Sequence, residues 1–274
     1  MRKQLIIIST SLVFILTSCG SSQSVSTSNN TNSSNNPSLN AVLWQQTAGE
    51  YDALCYQAFN AAKLYLERGN FARNQASDVG EPVIVMDLDE TVIDNSAYNA
   101  RLILDGKSFS ENTWNQWVNE ADAPLVPGAR EFIQFAEENG FPIYYISNRS
   151  EEMISATIDN LQKHGINAEP NFLLLKSETS QKAERRRRVL QENNIVMLIG
   201  DNLADFENQF EEPLALSERN ETVKKMSPLF GAKFIVLPNP MYGDWLRTLE
   251  NDDGKETRLS NEYNDKRKFL NPQR

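Results

Sequence analysis

The stretch Val83–Tyr98, VIVMDLDETVIDNSAY, constrains this chain more than any other. Val83, Ile84, Val85 and Met86 form an unbroken apolar run, rich in β-branched residues and entered through Pro82. Such a run predicts a strand buried on both faces of a parallel sheet. Asp87 stands at its carboxyl end, followed by Asp89 and Thr91. Ligands of open α/β sheets bind in the crevice beyond the carboxyl ends of the strands. A turn in which an aspartate caps the next helix explains one carboxylate there, but not Asp87, Asp89 and Asp94 together.

The rest of the chain repeats a strand–helix rhythm. Helical patterns over 127–139 and 150–164 each end at a glycine, Gly140 and Gly165. A charged helix is predicted over 180–193. Further strand-like runs cover 143–146, 172–175, 195–199 and 234–237. The alternation predicts βαβ units and a mostly parallel sheet, an α/β fold. The strand ends carry polar clusters: Asp87/Asp89, then Ser147/Asn148, then Asp201/Asp205. In a parallel sheet these meet at one edge. Asp87, Asp201 and Asp205 there make an oxygen-rich set suited to Mg²⁺. Zinc would call for Cys or His, and the chain has a single histidine.

Two segments stand outside the rhythm. Residues 41–67 read as one amphipathic helix stopped at Gly69, with Trp44, Tyr51, Cys55, Phe59 and Leu66 among its apolar positions. Residues 97–126 read as a small helical cap over the carboxylates. It carries Phe109, Trp114 and Trp117, with Ser110 placed to cap a helix. The two tryptophans suit either a small core or a stacking wall for a planar ligand.

The amino terminus is a targeting segment. Arg2 and Lys3 precede an apolar run over 5–16 that is too short to span a bilayer. It ends Leu16-Thr17-Ser18-Cys19, which resembles the lipobox of bacterial lipoproteins. That resemblance implies that residues 1–18 are removed and Cys19 is lipidated. Residues 19–40, almost all Ser, Asn and Thr, read as a flexible tether, and residues 41–274 as the folded domain with a peripheral segment over 246–274. With Cys19 lipidated, Cys55 has no partner in the chain and is expected to be buried. The formal net charge of −10 repels polyanions and argues against a nucleic-acid polymer as partner.

Five segments, in order, carry a resemblance to the class C bacterial acid phosphatases, lipoproteins of the haloacid dehalogenase (HAD) superfamily. They are Asp87-Leu88-Asp89-Glu90-Thr91, Ser147-Asn148-Arg149, Lys182 within Ser180–Arg185, Gly200–Phe206, and Asn239-Pro240-Met241-Tyr242-Gly243-Asp244-Trp245. The resemblance implies a HAD-like Rossmannoid core with a small helical cap. It implies Asp87 as nucleophile and Asp89 as general acid/base. It implies Mg²⁺ on Asp87, the Asp89 backbone carbonyl and Asp201, with Asp205 in support. Phosphate oxygens would be held by Ser147, Asn148 and Lys182. The implied substrates are phosphomonoesters, with a leaning to 5′-nucleotides including nicotinamide mononucleotide, whose rings would lie between Trp114 and Tyr242. The resemblance further implies a homodimer built on cap aromatics. Gly20 after Cys19 suits the outer membrane of a Gram-negative cell; a Gram-positive cell would place the anchor on the outer face of its plasma membrane.

Asp89 also discriminates between chemistries. Halide leaves without a proton, so a second carboxylate favours ester hydrolysis over dehalogenation. The lone His164, at a Lys-His-Gly helix end, reads as structural. Other readings are a surface lipoprotein binding haem or a host molecule, or a phosphotransferase with an acceptor other than water. The run Arg185–Arg188 reads as a solvated helix face.

Overall fold

The computed structural model describes residues 38–69, 71 and 80–251. The targeting segment, Cys19, the tether up to residue 37, and residues 252–274 lie outside the described residues.

Five strands form one parallel sheet: β1 (Glu81–Met86), β2 (Ile143–Ser150), β3 (Leu173–Lys176), β4 (Asn193–Gly200) and β5 (Phe234–Val236). Their order across the sheet is β3-β2-β1-β4-β5. Chain order runs outward in one direction from β1 and in the other from β4. The strand order therefore reverses between β1 and β4, and the crevice beyond that pair is where such sheets bind ligands. The ladder between these two strands continues into the loop: the Asp87 N–H donates to Ile199 O at 2.9 Å.

β1 is buried on both faces, as its composition predicts. Ile84 and Met86 face a core built with Tyr51, Phe59 and Phe132, and Val83 and Val85 face one built with Val189, Phe206 and Phe234. Helices on both faces of the sheet give the α/β sandwich.

The predicted helix over 41–67 is two helices. α1 (Leu39–Thr47) and α2 (Gly49–Arg68) are separated by Ala48, whose extended backbone (φ −89°, ψ 121°) breaks the ladder. The folded region thus begins within the predicted tether. The break lets α1 pack against the cap helix α3 (Ser96–Leu104) while α2 packs against α5 (Ala129–Glu138). The second cap helix, α4 (Glu111–Glu120), is capped by Ser110, whose Oγ accepts from Thr113 N at 3.2 Å.

After the cap come α6 (Ile154–Lys163), α7 (Ala183–Leu190), α8 (Leu216–Lys225) and α9 (Asp244–Asn251). The segment expected to be peripheral from residue 246 begins inside α9, where Thr248 is buried. His164 ends α6 and donates from Nε2 to Ala123 O at 2.9 Å, a structural contact made to a carbonyl outside its own helix. Cys55 is fully buried in the core, and burial pushes its thiol up to about 12.

Candidate active site

The crevice beyond β1 and β4 gathers the acidic strand ends. One carboxylate oxygen each from Asp87, Asp201 and Asp205 lies within 4.8 Å of the others. Lys182, at the amino end of α7, donates from Nζ to Asp87 Oδ1 and, at 2.6 Å, to Asp205 Oδ1. Its side chain is buried, not the exposed helix lysine that composition alone suggests. Asp205 Oδ2 accepts from Asn202 N at 2.9 Å, closing the turn after β4. Asn239 Nδ2 donates to Asp201 Oδ2 at 2.7 Å, tying the loop after β5 to the one after β4.

Gly200 permits this arrangement. A Cβ there would lie 2.3–2.6 Å from atoms of the Asp205 side chain, closer than atoms can pack.

Three carboxylates share one ammonium, so the cluster carries excess negative charge. Burial pushes Asp87 up, opposed by Lys182 and aided by Asp205 and Asp89, to about 7. Burial, with Asp205 and Asp87, raises Asp201 well above the carboxylate range. Burial works against the Lys182 ammonium, but Asp205 and Asp87 more than offset it and hold it charged. The donor set is all oxygen, its charge is under-compensated, and a hard divalent cation fits it.

Asp89 points elsewhere. Its carboxylate is forked by Arg149, with Nη2 at 2.8 Å and Nε at 3.0 Å from Oδ1, and accepts from Asn95 Nδ2 at 2.9 Å and Ser147 Oγ at 3.3 Å. The Asp89 side chain is therefore not part of the carboxylate cluster; only its backbone carbonyl is left for the expected metal role. Ser147 is fully buried, its hydroxyl given to Asp89 and accepting from Arg149 N at 3.2 Å. Exposed Asn148 accepts from Arg185 Nη2 at 2.6 Å.

The solvated reading of the arginine run fails for its first half. Arg185 and Arg186 are buried, Arg187 and Arg188 exposed. Arg185 donates to the carbonyls of Ser147, Leu174 and Ser180, and Arg186 to those of Ala204 and Asp205 and to Asn208 and Glu211. A helical plot of the segment gives the hint: Arg185, Arg186 and the apolar Val189 share one face at i, i+1 and i+4.

The cap separates its two tryptophans. Trp117 is buried and joins the main core with Tyr51, Phe59 and Phe132, not a separate small one. Trp114 is partly exposed, edge-on to Tyr98 at 5.2 Å, with the Arg149 guanidinium 5.8 Å from its ring centre. Tyr242 is partly buried on the loop held by Asn239, whose Oδ1 accepts from the N–H groups of Met241 and Tyr242.

Comparison with known proteins places the fold and the family. The class C acid phosphatase of Bacillus anthracis superposes with a TM-score of 0.77 at 38% identity, covering 86% of this chain and 97% of that one. A second structure of that enzyme has tungstate bound and matches equally. Acid phosphatase 1 of Solanum lycopersicum is 27% identical over 184 residues, 64% of this chain and 65% of its own. A stem 31 kDa glycoprotein of Glycine max is 26% identical over 167 residues, 58% of this chain and 59% of its own. The chain thus spans 59–65% of the length of these plant relatives. The profile of the HAD superfamily, subfamily IIIB (acid phosphatase), matches residues 4–245, and the chain belongs to that family.

Proposed function

We propose that this protein is a metal-dependent phosphomonoesterase acting through an aspartyl-phosphate on Asp87. One observation carries this reading: the buried Asp87–Lys182–Asp205 contact beside Asp201 at the strand-order reversal, with Asp89 two residues beyond the nucleophile. Asp87 attacks phosphorus and takes the phosphoryl group, dividing one hard displacement into two easier ones. Asp89 protonates the departing ester oxygen and then takes a proton from the hydrolytic water. Lys182 and the end of β2 at Ser147 and Asn148 hold the phosphate oxygens, the Ser147 hydroxyl itself being given to Asp89. Asp87, Asp201 and the Asp89 carbonyl, with Asp205 in support, would hold Mg²⁺, which would supply the charge neutralisation that lets a carboxylate meet a phosphate. Tungstate, carried by the Bacillus anthracis relative, is a tetrahedral oxyanion and stands in for phosphate.

The substrates in this reading are 5′-nucleotides, nicotinamide mononucleotide among them. Trp114 and Tyr242 stack on the ring, and each sits on a segment tied to the site, Trp114 through Arg149 and Tyr242 through Asn239. Stacking tolerates different rings and suits a broad scavenger. A lipid on Cys19 holds the enzyme at the outer membrane, and two copies meet through cap aromatics. Loss of lipid labelling in Cys19→Ser tests the anchor.

The direct test is phosphate release from a 5′-nucleotide and an aryl phosphate, with Mg²⁺, with chelator, and by Asp87→Asn. Metal-dependent release that the substitution abolishes is expected. A folded, metal-loaded protein that releases phosphate from neither ester overturns the reading.

A further inference from the structure

Asn95 lies at the junction of the strand-end loop and the cap, with no exposed surface. Its groups join three segments. Nδ2 donates to Asp89 Oδ1 at 2.9 Å, and Oδ1 accepts from Trp117 Nε1 of α4 at 2.8 Å. Its backbone N–H donates to Glu90 Oε1 at 2.9 Å, and its carbonyl accepts from Tyr98 N at 3.0 Å in the first turn of α3.

These bonds are directional and interdependent. The Trp117 indole is a donor only, so it fixes which end of the amide is the oxygen and aims the NH₂ at Asp89. Trp117 is itself held by packing in the cap and by the Arg101 guanidinium 4.7 Å from its ring centre. The loop beneath is a forced one. Glu90 adopts φ +60°, unfavourable for a side chain with a Cβ, and its carboxyl is buried against Asn95. Buried polar groups satisfied in a closed network hold one geometry, since any departure leaves a group unpaired.

We propose that Asn95 is a positioning residue for Asp89 and makes the carboxylate's orientation depend on cap helix α4 through the Trp117 indole. The proposal rests on the reading of Asp89 as general acid. With Asn95 and Trp117 in place, the Asp89 proton is delivered to the ester oxygen as the P–O bond breaks and its electron pair passes to that oxygen. Without them Asp89 keeps its Arg149 contacts but loses one of the groups that fix its angle, and proton delivery falters. Phosphate binding through Lys182 is not touched.

The signature is dependence on the leaving group. An alkyl alkoxide, as from a 5′-nucleotide, needs its proton in the transition state, whereas p-nitrophenolate departs without one. The test measures kcat and KM for 5′-nucleotide and p-nitrophenyl phosphate, with inorganic phosphate as competitive inhibitor, for wild type, Asn95→Ala, Trp117→Phe and Asp89→Asn. Trp117→Phe keeps the ring packing and removes only the N–H, so it serves where Asn95→Ala fails to fold. A general acid contributes about 10²–10⁴-fold, and Asp89→Asn sets that full scale for the nucleotide. For Asn95→Ala and Trp117→Phe the expected result is a loss in kcat/KM, which reports phosphoryl transfer and not the shared hydrolysis of the aspartyl-phosphate, of about tenfold or more for the nucleotide and about threefold or less for the nitrophenyl ester, and selectivity for every variant is judged on kcat/KM. Inhibition by phosphate is unchanged. If Asp89→Asn is selective but Asn95→Ala and Trp117→Phe lower both esters alike, or neither, the positioning role is wrong and the acid role stands. If Asp89→Asn is itself unselective, the acid role fails and the positioning role with it.

Discussion

Arg185 Nη2 donates to Asn148 Oδ1 at 2.6 Å while Nη1 of the same guanidinium donates to the Ser147 carbonyl. One side chain from α7 thus grips the end of β2 at two points. Because Lys182 opens the same helix, Arg185 also sets the distance between the two proposed phosphate-holding elements. A lysine supplies a point charge and cannot reproduce the fork. Arg185→Lys should raise KM for every phosphate ester by a similar factor, about tenfold if roughly 1.4 kcal/mol of positioning is lost, and weaken inhibition by inorganic phosphate equally. Steady-state kinetics on two esters check this; a rise confined to one ester contradicts it.

The carboxylate cluster predicts how the metal-free protein responds to pH. Asp87 has its folded-state value raised to about 7, above the ordinary aspartate value. The folded protein therefore holds that proton more tightly than the unfolded chain. The contribution is stabilising at low pH and is lost as pH rises toward and through the folded value. In chelator, the wild-type melting temperature should fall between about pH 5 and pH 8, by the equivalent of about 1–3 kcal/mol. Asp87→Asn should reduce that slope, leaving the part that the likewise raised Asp201 contributes, and saturating Mg²⁺ should flatten it in the wild type. Thermal melts of the two proteins at both pH values, with and without metal, decide the matter.

Much of this site could be read before the fold was known, and the reason is local. Asp87 follows an apolar run, Asp201 and Asp205 follow another, and parallel strands must bring such ends together. Lys182 came through its place in an ordered set of motifs, not through anything its neighbours show. What the sequence hid depends on distant partners. Arg185 and Arg186 look solvated in a run of four arginines, and they are buried because carbonyls from β2, β3 and the loop after β4 converge on them. No pattern in the sequence singles out Asn95; its role needs Trp117, twenty-two positions away. Ala48 carries no breaker signal, and its extended backbone follows from α1 packing on the cap while α2 packs on α5.

Asn239 and Gly200 support the proposed metal site without donating to it. Asn239 orients Asp201, and Gly200 leaves room for Asp205. Groups that orient a metal ligand are typically worth about 10–100-fold in metal affinity. Asn239→Ala should lower Mg²⁺ affinity by about that factor, with activity recovering at high metal. Gly200→Ala displaces Asp205, and with it a partner of Lys182, so excess metal should not restore it. Metal titrations of activity and of melting temperature separate the two; rescue of both variants alike would show that Gly200 serves only the metal.

Trp114 offers the sharpest test of substrate class. It stands apart from buried Trp117: partly exposed, edge-on to Tyr98 and beside Arg149, which holds Asp89. In the proposed reading this ring stacks on the nucleobase or nicotinamide of a substrate whose phosphate is attacked by Asp87. Stacking of one base on an aromatic side chain contributes about 1–3 kcal/mol, so Trp114→Ala should raise KM for a 5′-nucleotide by roughly five- to a hundredfold. A small alkyl phosphate has no ring to stack, and its KM should hardly change. Because Trp114 also leans on Tyr98 and Phe109, some loss of stability is expected, and Trp114→Phe should restore much of the nucleotide KM. Equal losses for nucleotide and alkyl phosphate, unrepaired by phenylalanine, would mean that the ring supports the cap and does not meet the substrate.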